Sequence, residues 1–254
     1  MGLYKIYNEN CLDTMSKMRD GFIDLTVTSP PYDNLRTYHG YDFDFESIAK
    51  ELYRVTKQGG VVVWIVGDAT VKGSETGSSF KQALYFKDIG FNLNDTMIWN
   101  KGSFTAVGAL KYRYAQTFEY MFILTKGLSK TFNPIKDRKN KVKGTIGGKL
   151  RKPDGSMVKM STHGKQRLEY GQRFAIWDQP PCGGNKSGHP APFPEQLAED
   201  HILSWSNEGD IIYDPFMGSG TTAKMAILNN RKFIGSEISK EYCDISEKRI
   251  NENL

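Results

Sequence analysis

The segment Asp214-Pro215-Phe216-Met217-Gly218-Ser219-Gly220-Thr221-Thr222 constrains the fold of this chain more than any other. It follows a short apolar run at residues 211–213 and precedes an apolar helical pattern that begins near Thr222. The two glycines allow a tight turn between a strand and a helix, where a ligand can approach the backbone closely. Because ligands of open α/β sheets bind beyond the carboxyl ends of the strands, the segment predicts an α/β fold with a ligand at this turn.

The rest of the chain agrees with an α/β fold, because short apolar runs alternate with helical spacings. The pattern predicts strands at residues 22–27, 61–66, 95–99, 120–124, 211–213 and 232–234, and helices at residues 45–55, 79–89, 194–204, 222–229 and 240–251. Gln58-Gly59-Gly60 is expected to end the first of these helices before the strand at 61–66. Alternation of this kind predicts a parallel sheet covered by helices.

Residues 128–188 interrupt the pattern with prolines and glycines, and they carry an excess of positive charge. They contain 14 Lys and Arg against 4 Asp and Glu, a balance of +10, so the remaining residues carry −5 of the net +5. A basic segment in an otherwise mildly acidic chain indicates a polyanionic partner, most simply nucleic acid. The alternative is a solvated surface loop, although Tyr170, Phe174 and Trp177 indicate that part of the segment packs.

Composition excludes several classes of protein. Hydrophobic residues make up 39% of the 254 residues and charged residues 25%, which is typical of a folded globular chain. No apolar run reaches the roughly 18 residues of a membrane span, and the first residues lack the pattern of a signal peptide. Cys11, Cys182 and Cys243 form no Cys-x-x-Cys pair, which favours a reduced, cytoplasmic protein without structural zinc. His39 and His189 have no second ligand at a suitable spacing, so no metal site is expected.

A second motif, Ser29-Pro30-Pro31-Tyr32, follows the predicted strand at residues 22–27. The exocyclic amine of a nucleobase is a poor nucleophile because its lone pair is conjugated into the ring. Acceptors beside its N–H groups, here the Ser29 hydroxyl and the Pro30 carbonyl, can draw the nitrogen toward a tetrahedral shape. Tyr32 offers a face on which a base can stack, and the base must leave the duplex to reach it. The alternative is an ordinary proline turn with a packed tyrosine.

The glycine turn leaves other functions open. Gly218-x-Gly220-x-x-Ala223 satisfies a loose dinucleotide fingerprint, so an NAD-dependent oxidoreductase is an alternative, whereas no Lys follows Gly220 as a triphosphate loop requires. Glu237 follows the predicted strand at 232–234, where a carboxylate can accept hydrogen bonds from the hydroxyls of a ribose. Asp68, beyond the strand at 61–66, is interpreted either as a group that steers the substrate or as a structural hydrogen-bonding residue. A catalytically silent DNA-binding protein also agrees with the basic segment.

The two motifs, in this order, resemble those of the amino-group DNA methyltransferases, which make N(4)-methylcytosine or N(6)-methyladenine. The chain is similar to the beta group of this family, in which the catalytic half precedes the DNA-recognition segment and the cofactor half comes last. The resemblance extends over Ile6-Tyr7-Asn8-Glu9-Asn10-Cys11-Leu12, Arg54-Val55-Thr56-Lys57-Gln58-Gly59-Gly60, Val66-Gly67-Asp68 and His189-Pro190-Ala191-Pro192-Phe193-Pro194-Glu195-Gln196-Leu197. It implies an α/β fold with a Rossmann-like, S-adenosylmethionine-dependent methyltransferase sheet in circular arrangement. Residues 1–127 would form the catalytic half, 128–188 a basic target-recognition insert and 189–254 the cofactor half.

The resemblance also implies a site. Its catalytic loop would be Ser29, Pro30, Pro31 and Tyr32, and its cofactor, S-adenosylmethionine, would contact Asn10, Phe193, Asp214, Phe216, Gly218, Gly220, Thr221 and Glu237. Asn10 stands where that group carries an Asp that contacts the adenine of the cofactor. Methyl transfer needs no metal, and Pro181-Cys182 falls in the insert, away from any strand end. Direct transfer to the amine, without a covalent cysteine intermediate, is therefore expected.

The base and the partners follow from the same resemblance. Ser29 at the first loop position resembles the cytosine enzymes more than the adenine enzymes, so N(4) of cytosine is favoured and N(6) of adenine is the alternative. Double-stranded DNA is the implied partner. A homodimer and a cognate restriction enzyme are further partners that the resemblance allows, and a cytoplasmic location without membrane association is expected.

Overall fold

The structure is a computed structural model that describes residues 4–31, 43–103, 111–181 and 193–252. Along the described chain the elements are β1 (Tyr4–Tyr7), α1 (Cys11–Ser16), β2 (Ile23–Thr28), α2 (Phe45–Val55), β3 (Thr56–Val66), β4 (Thr70–Val71), β5 (Ser74–Glu75), α3 (Ser78–Asp88), β6 (Asn92–Asn100), β7 (Phe118–Thr125), β8 (Arg138–Lys139), β9 (Lys149–Arg151), β10 (Met157–Lys159), β11 (Tyr170–Gly171), β12 (Ile176–Asp178), α4 (Glu195–Trp205), β13 (Ile211–Asp214), α5 (Thr221–Leu228), β14 (Lys232–Ser236) and α6 (Lys240–Asn251).

Eight of these strands form one sheet, in the order β1-β14-β13-β2-β3-β7-β6-β12. The strands β1, β14, β13, β2 and β3 pair in parallel, and so do β6 and β12. The strand β7 runs antiparallel to both of its neighbours, β3 and β6. The prediction of a parallel sheet is therefore wrong for β7, because apolar periodicity identifies a strand but carries no information on its direction.

Most predicted elements are confirmed, and α2 and α6 have the predicted bounds. The strand β1 and the helix α1 were not predicted, since four and six residues are too few to show a period. Gln58-Gly59-Gly60 lies inside β3 and does not separate it from α2. The pairing of β2 with β3 shifts between Ile23 and Leu25, which accommodates this early start of the strand.

Helices cover both faces of the sheet. Residues of α1, α2 and α3 form one apolar cluster with strand residues such as Trp64, Phe122 and Tyr213. On the other face, α4 and α5 contact β2, β13 and β14. There Sδ of Met121, the neighbour of Phe122 in β7, lies 3.2 Å from Nε2 of His201 in α4. Adjacent strand residues point to opposite faces, so the helices form two layers around the sheet. None of the described helices is both long enough and apolar enough to cross a bilayer.

The chain divides into two compact units. Residues up to 133 and from 175 onward form the first, and Pro134–Phe174 form the second, which we call the basic unit. Inside the basic unit β8 pairs with β11 and β9 pairs with β10, both antiparallel. None of its residues is buried, and it contains 12 Lys and Arg against 3 Asp and Glu, a net charge of +9. The edge strand β12 lies within residues 128–188 but belongs to the main sheet.

Candidate functional site

Five parallel strands end at the same edge of the main sheet. The residues that directly follow them are Asn8 after β1, Ser29 after β2, Gly67 after β3, Pro215 after β13 and Glu237 after β14. Because parallel strands share one direction, their carboxyl ends meet at this edge, where open α/β sheets bind ligands. The fold therefore brings the predicted catalytic loop and the predicted glycine turn to one place.

The glycine turn links β13 to α5, and at Gly220 it has no room for a side chain. Gly220 is the N-cap of α5 with φ of 78°, in the left-handed region. A Cβ atom on Gly220 would lie 2.6 Å from Ser246 Oγ and 3.2 Å from Ser246 Cα of α6. The same Ser246 hydroxyl donates to the carbonyl of Gly218 at 2.9 Å. Thr221, the first residue of α5, is buried. Because Ser246 fills the space that a Cβ atom would need, only glycine at position 220 lets α6 pack this closely against the turn.

Glu237 holds the glycine turn from the neighbouring strand. Its Oε2 accepts a hydrogen bond from the Gly218 amide at 2.9 Å, and its Oε1 accepts one from the Ser239 amide at 2.8 Å. Its own amide donates to the Tyr7 carbonyl of β1 at 3.0 Å. The carboxylate predicted from its place after a strand therefore lies beside the glycine turn, as a nucleoside site requires.

The N-terminal segment reaches the same edge. Asn10 is the N-cap of α1, and its Oδ1 accepts a hydrogen bond from the Leu12 amide at 2.9 Å. An amide oxygen has two lone pairs, so this cap leaves one available for another donor. Asn8, which the sequence did not indicate, donates from Nδ2 to the carbonyls of Glu237 and Ile238, each at 2.9 Å. These bonds join the start of the chain to the end of β14.

Asp214, the last residue of β13, is a buried carboxyl group at the centre of the edge. Its Oδ1 accepts hydrogen bonds from the Thr28 hydroxyl at 2.6 Å and from the Phe216 amide at 3.0 Å. Burial raises the pKa of Asp214 to about 6, although these hydrogen bonds oppose the rise. The charge of Glu237 raises it further. A group with this pKa changes its charge near neutral pH, as functional carboxyl groups often do.

The predicted catalytic loop starts directly after Thr28. Ser29 is half-buried, Pro30 is buried and Pro31 is half-buried. Tyr32, the fourth predicted loop residue, lies outside the described residues, as do His39, Cys182 and His189. The structure therefore places Ser29, Pro30 and Pro31 at the carboxyl end of β2, next to the strand that carries Asp214.

Phe216 lies in an aromatic cluster beyond the end of β13. Its ring meets Trp64 of β3 edge-on, with centroids 6.3 Å apart, and Phe43 with centroids 5.7 Å apart. Phe216 is itself only half-buried. It therefore leaves part of an aromatic surface exposed between the glycine turn and the end of β3, which suits a flat ligand.

Phe193 is half-buried and precedes Pro194, the N-cap of α4. The next residue, Glu195, accepts hydrogen bonds from Lys224 of α5 at 2.9 Å and from Arg249 of α6 at 2.8 Å. Arg249 also donates to the carbonyl of Ser219 in the glycine turn at 2.6 Å. These contacts, which we call the helix clasp, tie the start of α4 to the turn. The sequence did not predict the clasp, because its members lie on three separate helices.

Asp68 has a structural role in the described chain. Its carboxylate accepts hydrogen bonds from the Ser79 amide at 2.9 Å and from the hydroxyls of Ser78, Ser79 and Thr76. Burial raises the pKa of Asp68, but these hydrogen bonds outweigh burial and hold the pKa below its ordinary value. The carboxylate thus supports the first turn of α3, which favours the structural interpretation over substrate steering.

The described cysteines are poor nucleophiles. Cys11 and Cys243 are both free thiols and both buried. Burial raises the pKa of Cys11 to about 12 and that of Cys243 to about 11, so both remain protonated at neutral pH. Because the thiolate is the reactive form, neither thiol is suited to covalent catalysis.

Comparison with known proteins gives one family. The family model described as DNA methylase matches residues 23–248. Orphan methyltransferase M.BamHII of Bacillus amyloliquefaciens is 64% identical over an alignment of 243 positions, which covers 91% of this chain and 89% of the relative.

Two solved structures show the same fold. The PvuII DNA methyltransferase (cytosine-N4-specific) matches 98% of this chain and 86% of its own length, with a TM-score of 0.74 and 20% identity. A complex of M1.HpyAVI with SAM matches 97% of this chain and 99% of its own length, with a TM-score of 0.64 and 22% identity. The α/β sheet of this chain therefore has the fold of these methyltransferases.

Proposed function

The chain belongs to the DNA methylase family, and we propose that it transfers a methyl group from S-adenosylmethionine to the exocyclic amine of a flipped base in double-stranded DNA. One observation carries the proposal. The Ser29-Pro30-Pro31 loop and the glycine turn leave adjacent strands at one sheet edge and are joined by the hydrogen bond from Thr28 to Asp214. A nucleoside site next to a loop of hydrogen-bond acceptors fits methylation of an amine.

The described residues fit S-adenosylmethionine. Gly220 packs against Ser246 of α6 and so keeps the turn tight, and Glu237 beside the turn suits the hydroxyls of a ribose. Phe216 and Phe193 offer aromatic surface, and Asn10 offers an amide oxygen to an adenine amine. When bound, this cofactor supplies a methyl group on a positively charged sulfonium. The buried Asp214 carboxylate is placed to favour a positively charged ligand once it is ionised.

The catalytic work falls to the loop after β2. We assign to the Ser29 hydroxyl and the Pro30 carbonyl the task of accepting hydrogen bonds from the target amine, which aims its lone pair. Such bonds help most as the nitrogen becomes tetrahedral, so they lower the barrier more than they strengthen binding. Tyr32 is proposed to stack on the flipped base.

Cytosine N(4) is the proposed target atom, and adenine N(6) is the alternative. The proposal rests on Ser29 at the first position of the loop, which resembles the cytosine enzymes. The PvuII DNA methyltransferase, which shares the fold, is named cytosine-N4-specific and agrees with this choice.

The basic unit is the proposed source of DNA affinity. Its net charge is +9, none of its residues is buried, and lysines such as Lys139, Lys141 and Lys143 are exposed. Exposed cations that neutralise phosphates release counterions from DNA, which gives affinity without sequence preference. Residues 128–188 as a whole are the proposed target-recognition insert, between a catalytic half at 1–127 and a cofactor half at 189–254.

Among the other partners, a homodimer is proposed and can be tested by light scattering, which should give about twice the 28.8 kDa of one chain. A cognate restriction enzyme is the weaker proposal, because the 64% identical relative is named an orphan methyltransferase. A DNA substrate calls for a location in the cytoplasm.

Calorimetric titration tests the cofactor. S-adenosylmethionine should bind and NAD should not, because only a methyl donor accounts for the loop after β2. Glu237→Ala should weaken the binding by about 1–3 kcal/mol, the cost of leaving hydrogen-bonding groups unpaired. Glu247→Ala, at an exposed position of α6, is the matched control and should bind as the wild type does. Binding of NAD would favour the oxidoreductase, and binding of neither ligand would favour the silent DNA-binding protein.

A further inference from the structure

Backbone pairing stops early where the catalytic loop and the glycine turn leave the sheet. The ladder between β2 and β13 pairs Ile212 with Leu25 and Tyr213 with Thr26, and it ends there. On its other side β2 stays paired with β3 as far as Thr28, opposite Trp64. The distance between the ends of β2 and β13 is therefore not set by a backbone ladder.

Two side chains bridge this gap. The Thr28 hydroxyl donates to Asp214 Oδ1 at 2.6 Å, and the Thr222 hydroxyl of α5 donates to the Val27 carbonyl at 3.2 Å. Thr28, Asp214 and Thr222 are all buried, with at most 1% of each exposed. Buried hydrogen bonds of this kind are costly to break, so the two bridges fix the spacing that the ladder leaves open.

We propose that Thr28 is a positioning residue for methyl transfer, which couples the cofactor turn to the catalytic loop through its hydrogen bond to Asp214. This inference rests on the proposed function. Thr28 directly precedes Ser29, and Asp214 directly precedes the Pro215-Phe216 start of the glycine turn. This bond therefore links the acceptor for the amine directly to the turn that is proposed to hold the methyl donor, and the Thr222 bridge supports it. Reacting groups misplaced by about 1 Å can lose on the order of a hundred-fold in rate.

The same bond adjusts the charge of Asp214. The Thr28 hydroxyl lowers the pKa of Asp214 against the larger effect of burial, while Glu237 at the end of β14 raises it. Tyr213, the neighbour on β13, holds its hydroxyl 2.9 Å from Ser236 Oγ, and burial raises its pKa well above the ordinary value. Removal of the Thr28 hydroxyl should therefore raise the pKa of Asp214 and move the acidic limb of the activity profile to higher pH.

The chain supplies a matched control for this position. Thr26 lies two residues earlier on β2 and is equally buried, yet its hydroxyl has no hydrogen-bond partner among the described residues. Thr26→Val and Thr28→Val thus remove the same atoms from the same strand, but only the second removes a bridge. Thr28→Ser keeps the hydroxyl, and Thr28→Cys replaces it with a weaker donor.

Single-turnover transfer of tritiated methyl groups from S-adenosylmethionine to unmodified plasmid DNA, followed from pH 5.5 to 8.5, is the test. Thr28→Val should transfer about ten-fold to a hundred-fold more slowly at pH 8, with cofactor affinity within about three-fold of wild type, and its acidic limb should move up. The transfer rate of Thr28→Ser should stay within about three-fold of the wild-type rate. Thr26→Val should have the rate and the pH profile of the wild type.

Equal rates and equal pH profiles for Thr28→Val and Thr26→Val would overturn the coupling. If Thr28→Val does not fold, Thr28→Ser and Thr28→Cys make the same test. The transfer rate should fall in the order wild type, Thr28→Ser, Thr28→Cys. A Thr28→Cys variant with the rate and pH profile of the wild type would overturn the coupling. Methyl transfer by the wild-type protein in this assay tests the proposed function separately.

Discussion

At the scale of single residues, the ionisation of Asp214 affects both the stability of the fold and the proposed binding of a cationic ligand. Its carboxyl group is buried, and burial raises its pKa from 3.8 to about 6. The folded protein therefore holds this proton more tightly than the unfolded chain does. The resulting stabilisation is complete below about pH 4 and is lost as the pH rises through 6. At neutral pH the folded state carries a buried negative charge, which a positively charged ligand can compensate.

Asp214→Asn should remove this pH dependence while keeping an oxygen that can accept from Thr28 and from the Phe216 amide. From pH 5 to pH 8 the wild type should lose on the order of 1–2 kcal/mol in free energy of unfolding relative to the variant. S-adenosylmethionine should bind the variant more weakly at pH 8. Urea unfolding at both pH values, with a binding titration at pH 8, measures this. A difference between the two proteins that does not change with pH would contradict the assigned pKa.

The sequence predicted some site residues and could not predict others. Glu237 and the glycines stand in local patterns, a residue after a strand and a turn before a helix, so the sequence could indicate them as candidates. The bond between Thr28 and Asp214 joins residues 186 positions apart, and no local pattern encodes it. Asn8 and Ser246 were missed for the same reason, since each acts on a distant backbone group.

At the scale of elements, the helix clasp fixes α4, α5 and α6 around the glycine turn. Arg249 is the central member, because its guanidinium bonds both Glu195 and the carbonyl and hydroxyl of Ser219. Only 20% of its side chain is exposed and Ser219 is buried, so the bonds to Ser219 are shielded from competition with water, whereas Glu195 is 41% exposed. The clasp thus joins the element that carries Phe193 to the turn that is proposed to hold the cofactor.

Arg249→Met keeps the apolar stem of the side chain but removes the Arg249 bonds of the clasp, while Lys224 stays bonded to Glu195. We expect a loss of about 1–3 kcal/mol in the free energy of unfolding, since Ser219 and Glu195 lose charged partners, and a fall in melting temperature of roughly 2–4 °C per kcal/mol. Thermal unfolding with and without S-adenosylmethionine measures both stability and binding. Lys248→Met, the exposed neighbour on α6, is the control and should stay within about 0.5 kcal/mol of the wild type. Equal melting temperatures for the two variants would contradict a stabilising clasp.

The sequence predicted the elements whose apolar periodicity extends over many residues. It did not predict features that depend on how one strand pairs with another. The helices α2 and α6, with 11 and 12 residues, have the bounds that their apolar spacing predicted. The antiparallel direction of β7 and the inclusion of Gly59 and Gly60 in β3 depend on neighbouring strands. Such features are set by tertiary contacts, so the spacing of one segment cannot reveal them.

At the scale of the whole molecule, charge is divided between the two compact units. The basic unit has a net charge of +9, while the other residues together carry −4 of the net +5. A count of charged residues along the sequence revealed this asymmetry, because such a count does not depend on the fold. It could not give the bounds of the unit, since β12 joins the main sheet only through its pairing with β6.

Neutralising Lys139, Lys141 and Lys143 together as Gln should weaken DNA binding and reduce the slope of log affinity against log salt by about 3, one for each lost phosphate contact. Fluorescence anisotropy at several salt concentrations measures this slope. Lys50, Lys240 and Lys248, all exposed outside the basic unit, give a control triple variant with the same change in net charge. If both triple variants show the same slope, the basic unit does not supply the DNA affinity.

The most direct measurement of the central claim is the identity of the methylated nucleoside. DNA treated with the protein and S-adenosylmethionine is digested to nucleosides and analysed by mass spectrometry, with the Ser29→Ala variant as the control. We predict N(4)-methylcytosine from the wild type, and much less from Ser29→Ala because the target amine loses one acceptor. N(6)-methyladenine would keep the mechanism and reverse the choice of base. A product methylated on a ring carbon, or no methylated nucleoside from a protein that binds S-adenosylmethionine, would contradict the account.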